Sequence, residues 1–137
     1  MCGILGIFGS SLSEVELKKK LIACSMKLRH RGPDWSGYVI EGNNGIAHER
    51  LAIIDPESGT QPLKSHDGNI IVAANGEIYN YKELYAGLTT PYTPLTGSDC
   101  EVVIPLYEQV QHFIRLFFAT SHGAKFIYYF FFFSLDS

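Results

Sequence analysis

Two runs of β-prone residues, 36–41 and 45–54, meet at Gly42-Asn43-Asn44-Gly45, and this junction restricts the fold more than any other feature of the chain. A link this short and this rich in Gly and Asn makes a hairpin, so the two strands must be antiparallel neighbours. A second tight-turn signal, Asp67-Gly68, precedes a strand over 69–74. Residues 3–8 read as a short buried strand closed by Gly9, and Glu77-Ile78-Tyr79 as extended chain after an interruption at Asn75-Gly76. Between the strands, Ser13-x-x-Glu16 forms a capping box ahead of an apolar stripe at Leu17, Leu21, Cys24 and Leu28, with Lys18, Lys19 and Lys20 on the solvated side. Gly32-Pro33 stops that helix. A short helix is expected over 81–88. A second capping box, Ser98-x-x-Glu101, opens a helix through Gln109 in which Pro105 costs about 3 kcal/mol or forces a kink. Hairpins and helices in this order give an α+β fold with an antiparallel sheet.

The 137 residues suit one domain with a real core, and 46% hydrophobic against 18% charged residues excludes wholesale disorder. A net charge of -3 invites neither nucleic acid nor an anionic membrane. The expectation is no nucleic-acid partner and no membrane partner, since no run reaches the ~18 apolar residues of a spanning helix. Cys2, Cys24 and Cys100 are odd in number and widely spaced, which disfavours a disulfide framework and a zinc site. That points to a reducing, cytoplasmic setting with no bound metal. The averages conceal an asymmetry. Eight of the nine Phe fall within 110–137, ending in Phe130-Phe131-Phe132-Phe133, and that segment holds only Arg115, Lys125 and Asp136 as charged residues. The expected division is therefore 1–109 as a domain and 110–137 as an aromatic-rich tail. The tail has β propensity, little charge and no Pro, an aggregation signature when exposed.

Four groups carry chemistry. Cys2 becomes the N-terminal residue once Met1 is removed, and its α-amine, with an ordinary pKa of about 7.7–8.0, then serves as proton acceptor beside its own thiol. The plainer reading of Cys2 is a small residue opening a buried strand. In Asn75-Gly76-Glu77, a side-chain amide and a backbone N–H can together hold an oxyanion, and the same residues can be a simple turn. Arg50 suits an α-carboxylate, and Glu77 and Asp99 suit an α-ammonium, although each is also an ordinary charged residue. Arg29-His30-Arg31-Gly32-Pro33-Asp34 reads as a basic helix end and a stop. His30, His48 and His66 show no metal-ligand spacing and are treated as non-catalytic.

Together these segments closely resemble the N-terminal glutaminase domain of the glutamine-hydrolysing asparagine synthetases, class II glutamine amidotransferases of the N-terminal-nucleophile hydrolase type. The resemblance rests on Met1-Cys2-Gly3-Ile4, residues 29–37, Glu49-Arg50-Leu51-Ala52-Ile53-Ile54-Asp55, Thr60-Gln61-Pro62-Leu63, residues 75–80 and Gly97-Ser98-Asp99-Cys100-Glu101, in family order. It implies a partial αββα sandwich of antiparallel sheets. It implies that Cys2 attacks the side-chain amide of glutamine and that Asn75 and Gly76 form the oxyanion hole. Arg50 would hold the substrate carboxylate, Glu77 and Asp99 its amine, and Ile53 and Ile54 would line the pocket. No cofactor is implied for that step. In the full enzyme, ammonia would pass to a second domain that uses ATP and Mg to activate aspartate. Glutamine and full-length asparagine synthetase subunits are the implied partners.

The resemblance stops near residue 109, before the later strands of the family, so the chain is expected to be a truncated domain. Two functions follow from that expectation: a glutaminase fragment, or a non-enzymatic fragment that is inactive or acts by associating with full-length subunits. T-rich Phe codons in 110–137 suit translated non-coding or frame-shifted sequence, and a short membrane- or partner-binding tail is the alternative.

Overall fold

The computed structural model describes residues 2–51 and 60–109, together with the backbone of 129–134. Its described elements are β1 (Gly3–Ile7), α1 (Glu14–Ser25), β2 (Trp35–Glu41), β3 (Asn44–Arg50), β4 (Leu63–Lys64), β5 (Ile70–Asn75), α2 (Tyr81–Ala86), α3 (Val103–Gln109) and β6 (Tyr129–Ser134). Short 3₁₀ turns cover Met26–Leu28 and Asp99–Val102. The strands form two antiparallel sheets, ordered β1-β3-β2 and β4-β5-β6. The chain is therefore a mixed α and antiparallel β fold.

The hairpin forms as its composition dictates. Glu41 pairs with Asn44, so Gly42 and Asn43 alone make the turn, and Gly42 takes the left-handed φ of 57° that a side chain would resist. Strand β3 begins one residue earlier than the sequence suggests, because Asn44 already pairs with Glu41. Residues 52–59, including the end of the expected strand, lie outside the described residues.

Helix α1 begins at a complete capping box. Glu16 N–H donates to Ser13 Oγ at 3.4 Å, and Ser13 N–H donates to Glu16 Oε2 at 3.1 Å. The face that packs on β1 and β3 carries Leu17, Leu21 and Ser25, all buried. The period-2 rule then sorts β3, every residue of which from Gly45 to Arg50 is buried. Glu49 turns to α1, where it accepts from Ser25 Oγ at 2.5 Å, and it also accepts from Ser36 Oγ of β2 at 2.5 Å. Ile46 and His48 turn the other way, toward the second sheet.

Strand β5 is sorted likewise. Ile71 and Ala73 pack with Ile46, Ile4 and Val39 between the sheets. Ile70, Val72 and Ala74 pack with Leu63, Cys100 and Ile104 on the opposite face. Strand β6 pairs with β5 along its whole length, Ile70 with Ser134 through Asn75 with Tyr129. The aromatic run set apart by composition thus supplies an edge strand.

Three local expectations are corrected. Glu77-Ile78-Tyr79 is not a strand, because the chain turns directly into α2 after Asn75. Pro105 does not kink a long helix. The helix is in two pieces, 3₁₀ over Asp99–Val102 and then α3, which places Pro105 in the first turn of α3, where a missing N–H leaves no bond unmade. Ser98 and Glu101 do not form a capping box. Ser98 Oγ accepts from Cys100 N–H at 3.3 Å, and the Glu101 carboxylate turns back to the preceding loop.

There Glu101, 1% exposed, accepts from Tyr92 Oη at 3.0 Å, Leu95 N–H at 2.6 Å, Thr96 N–H at 2.7 Å and Thr96 Oγ1 at 2.5 Å. Burying a carboxylate requires this many donors, and the donors in turn depend on it. Glu101→Ala should lower stability by about 2–4 kcal/mol, and Glu101→Gln by less. Urea midpoints of the two variants check this, and an Ala variant within about 0.5 kcal/mol of the parent would refute it. Among the described residues no helix is long and apolar enough to cross a membrane.

Candidate active site

Because β1 and β3 are antiparallel, the start of β1 lies beside the end of β3, with Gly3 opposite Glu49. That register brings Cys2, just before β1, next to Arg50 and Leu51, just at and after the end of β3. The end of β5 meets them from the other sheet. The backbone nitrogen of Cys2 donates to Asn75 Oδ1 at 3.0 Å, which leaves the NH₂ end of the Asn75 amide as its donor. Cys2 Sγ accepts from Leu51 N–H at 3.4 Å and donates to Leu51 O at 3.8 Å. Arg31 Nε donates to the Cys2 carbonyl at 3.2 Å, fixing the residue from the far side.

The acidic pair sits beyond Gly76. Asp99, at the start of the 3₁₀ turn, accepts from Ile78 N–H. Tyr79 bonds Glu77, and that bond and the Glu77 and Asp99 charges raise the tyrosine pKa. The structure therefore gathers Cys2, Asn75 and Gly76 at one point, with Arg50 in the strand end beside them and Glu77 and Asp99 on the adjoining turn. Arg50 is buried, 8% exposed. Ile53 and Ile54 lie outside the described residues. Among the described residues no three His, Cys, Asp or Glu gather as a metal site.

The other two cysteines differ from Cys2. Cys100 is buried, and its thiol donates to Gly76 O at 3.5 Å. Burial, reinforced by the Asp99 charge, pushes that thiol up to about 12, so it stays protonated and unreactive at neutral pH. Cys24 is half-buried in the last turn of α1.

Two contributors escape a reading based on residue type. His48 shows no metal-ligand spacing, yet its imidazole crosses between the sheets, with Nε2 3.1 Å from Ala74 O. A carbonyl only accepts, so Nε2 carries the proton, and among the described residues Nδ1 has no hydrogen-bond partner. Gln61, which the sequence marks only as part of Thr60-Gln61-Pro62-Leu63, places Oε1 2.6 Å from the Ala74 nitrogen. The available signal for His48 was its i, i+2 relation to Arg50, which puts both on one face of β3.

Burial holds the His48 pKa below its ordinary value of 6.5, with Arg50 adding to the effect and Glu49 and the Ala74 bond opposing it. The unfolded chain therefore binds the proton first. His48 contributes stability that is complete above about pH 6.5 and is lost as pH falls through the lower folded value. Stability measured from pH 7.5 downward should fall in that window, and His48→Gln should flatten it. An equal slope in the two proteins would contradict the assignment.

The family of the chain is given by its sequence relatives. The profile of the glutamine amidotransferase domain matches residues 1–117, and the chain belongs to that family. The particular relatives are glutamine-hydrolysing asparagine synthetases. The enzyme from Brassica oleracea is 51% identical over 109 residues, covering 80% of this chain and 18% of its own length. That from Sandersonia aurantiaca is 48% identical over 128 residues, 93% of this chain and 22% of its own. Asparagine synthetase B of Escherichia coli is 47% identical over 109 residues, 80% of this chain and 20% of its own. The chain thus spans about one fifth of the length of the curated relatives it matches.

Proposed function

We propose that this chain hydrolyses the side-chain amide of glutamine at Cys2, releasing glutamate and ammonia. The observation that carries the reading is the 3.0 Å bond between the Cys2 nitrogen and Asn75 Oδ1, which ties the would-be α-amine to the would-be oxyanion hole. With Met1 removed, the amine takes the thiol proton, and Sγ attacks the amide carbon. The Asn75 amide and the Gly76 N–H stabilise the oxyanion. The proton returns to the leaving nitrogen, ammonia departs, and water opens the γ-glutamyl thioester to release glutamate and restore the thiol. Arg50 holds the substrate carboxylate in a forked ion pair, Glu77 and Asp99 hold its ammonium, and Ile53 and Ile54 line the pocket. Thiol, amine and water supply every step, so the half-reaction calls for no cofactor.

The two facing sheets, with α1 on β1 and β3 and α3 on the outer side of β5, support the finer assignment to the αββα sandwich of N-terminal-nucleophile hydrolases. The relatives support a wider role: ammonia made here serves asparagine synthesis from aspartate, with ATP and Mg used by a synthetase domain and with full-length subunits as partners. Three free thiols support a reducing, cytoplasmic setting. We place the domain proper at 1–109 and the tail at 110–137. The relatives aligned over 109 residues support that division, while the family match to residue 117 and the Sandersonia alignment over 128 residues run past it.

The test is release of glutamate and ammonia from glutamine by chain whose Met1 loss is verified by mass. Equal amounts of the two products are expected, with none from chain that keeps Met1. Correctly processed, folded chain without either product would refute the proposal.

A further inference from the structure

Strand β4 ends early. Its register with β5 reaches only Leu63 opposite Val72, and Gln61 and Pro62 lie outside the strand. Ala74 lies two residues further along β5 and is 1% exposed, so both of its backbone groups need partners inside the protein. Side chains provide them. Gln61 Oε1 accepts the Ala74 N–H at 2.6 Å, and His48 Nε2, arriving from the other sheet, donates to the Ala74 carbonyl at 3.1 Å. Gln61 sits where continued pairing would have put a backbone carbonyl. The next residue is Asn75, whose amide holds the Cys2 nitrogen, and the next is Gly76, exposed and without a side chain to anchor it.

We propose that Gln61 and His48 are positioning residues that clamp the backbone of Ala74 from both sides and so aim the Asn75 amide and the Gly76 N–H at the reacting carbon. Neither side chain touches the substrate. The inference rests on the glutaminase reading for its consequence, but the clamp itself is a property of the fold. Its polarity is specific. The Ala74 N–H needs an acceptor, which Gln61→Glu keeps and Gln61→Met removes. The Ala74 carbonyl needs a donor, which His48→Gln keeps and His48→Leu removes.

The test measures kcat and KM for glutamine hydrolysis by Met1-free parent, Q61M, Q61E, H48L and H48Q. Amide hydrogen exchange at Ala74 and Gly76 is followed in the same samples. Loss of one oxyanion donor lowers kcat by about 10²–10³, so misaiming without loss should lower it by about 10–100-fold in Q61M and H48L. KM should stay within about threefold, because Arg50, Glu77 and Asp99 grip the other end of glutamine. Q61E and H48Q should recover most of kcat, and exchange at Ala74 should rise in Q61M and return in Q61E. Unchanged kcat in Q61M and H48L, or equal loss in the paired polar and apolar variants, would overturn the clamp. If the parent hydrolyses no glutamine, the glutaminase reading fails, and exchange alone decides: faster exchange in Q61M and H48L that Q61E and H48Q reverse upholds the clamp, and unchanged exchange overturns it. If an apolar variant does not fold, Gln61→Asn, which withdraws the same acceptor by one methylene, takes its place with the same two outcomes.

Discussion

Cys2→Ala should lower the rate of glutamine hydrolysis at least about a thousandfold, to background, while leaving the fold intact. Cys2 is half-buried before β1, and among the described residues its thiol hydrogen-bonds the Leu51 backbone, so removing the sulfur takes little from the core. Everything that follows attack depends on it. The same loss should follow from blocking the α-amine with an N-terminal tag, because the amine then neither takes the proton nor keeps its place on Asn75 Oδ1. Cys24→Ala is the control, since Cys24 lies in α1 and has no part in the proposed chemistry, and it should retain the parental rate. Steady-state glutamate release from the three proteins checks this. A Cys2→Ala protein with more than about a tenth of the parental rate would contradict the account.

The second large effect concerns packing. A Cβ built on Gly32 would lie 2.1 Å from Glu49 O and 2.3 Å from Glu49 C, both backbone atoms in the middle of the first sheet. Neither can swing aside as a side chain tip would. Gly32→Ala should therefore destabilise by about 1–3 kcal/mol or more, the range for forcing extra atoms into a close-packed interior. It should also weaken glutamine binding, since the displaced backbone runs directly into Arg50, and Asp34 N–H bonds the Arg50 carbonyl at 3.0 Å. By contrast, Gly9→Ala meets nothing within 4 Å and carries only the strain of its φ of 61°. Thermal melts of the two variants separate the causes. A Gly32→Ala melt equal to or above that of Gly9→Ala would show that the close approach does not hold.

These two cases show how legible the chain was. Residue type makes Cys2, Asn75 and Asp99 candidates and the family resemblance gives them their expected roles, while the hairpin and α1 are marked by turn residues and a capping box. Such signals are local. Gly32 read only as a helix stop, because the sequence cannot show that β3 passes 2.1 Å from its missing side chain. Strands β3 and β5 are buried on both faces, so residue type could not show which sheet or helix each face meets. That is why residue type alone does not mark His48 or Gln61: their role arises because β4 reaches only Leu63 and leaves Ala74 without a backbone partner on the β4 side. Glu101 misled in the same way. The Ser-x-x-Glu spacing fits a capping box, but the loop at Tyr92 to Thr96 offers the carboxylate four donors and takes it. The composition break at residue 110 was plain, yet composition gave no sign that Tyr129–Ser134 pairs with β5.

The central claim is that Cys2, with a free amine, is the nucleophile. Its most direct measurement is rapid quench of Met1-free chain mixed with glutamine, followed by peptide mass analysis under acidic conditions that preserve thioesters. The account predicts a γ-glutamyl group on the peptide that begins with Cys2, none on those bearing Cys24 or Cys100, and none on any peptide of Cys2→Ala. A γ-glutamyl group on Cys24 or Cys100, or glutamate released with Cys2 never acylated, would contradict it.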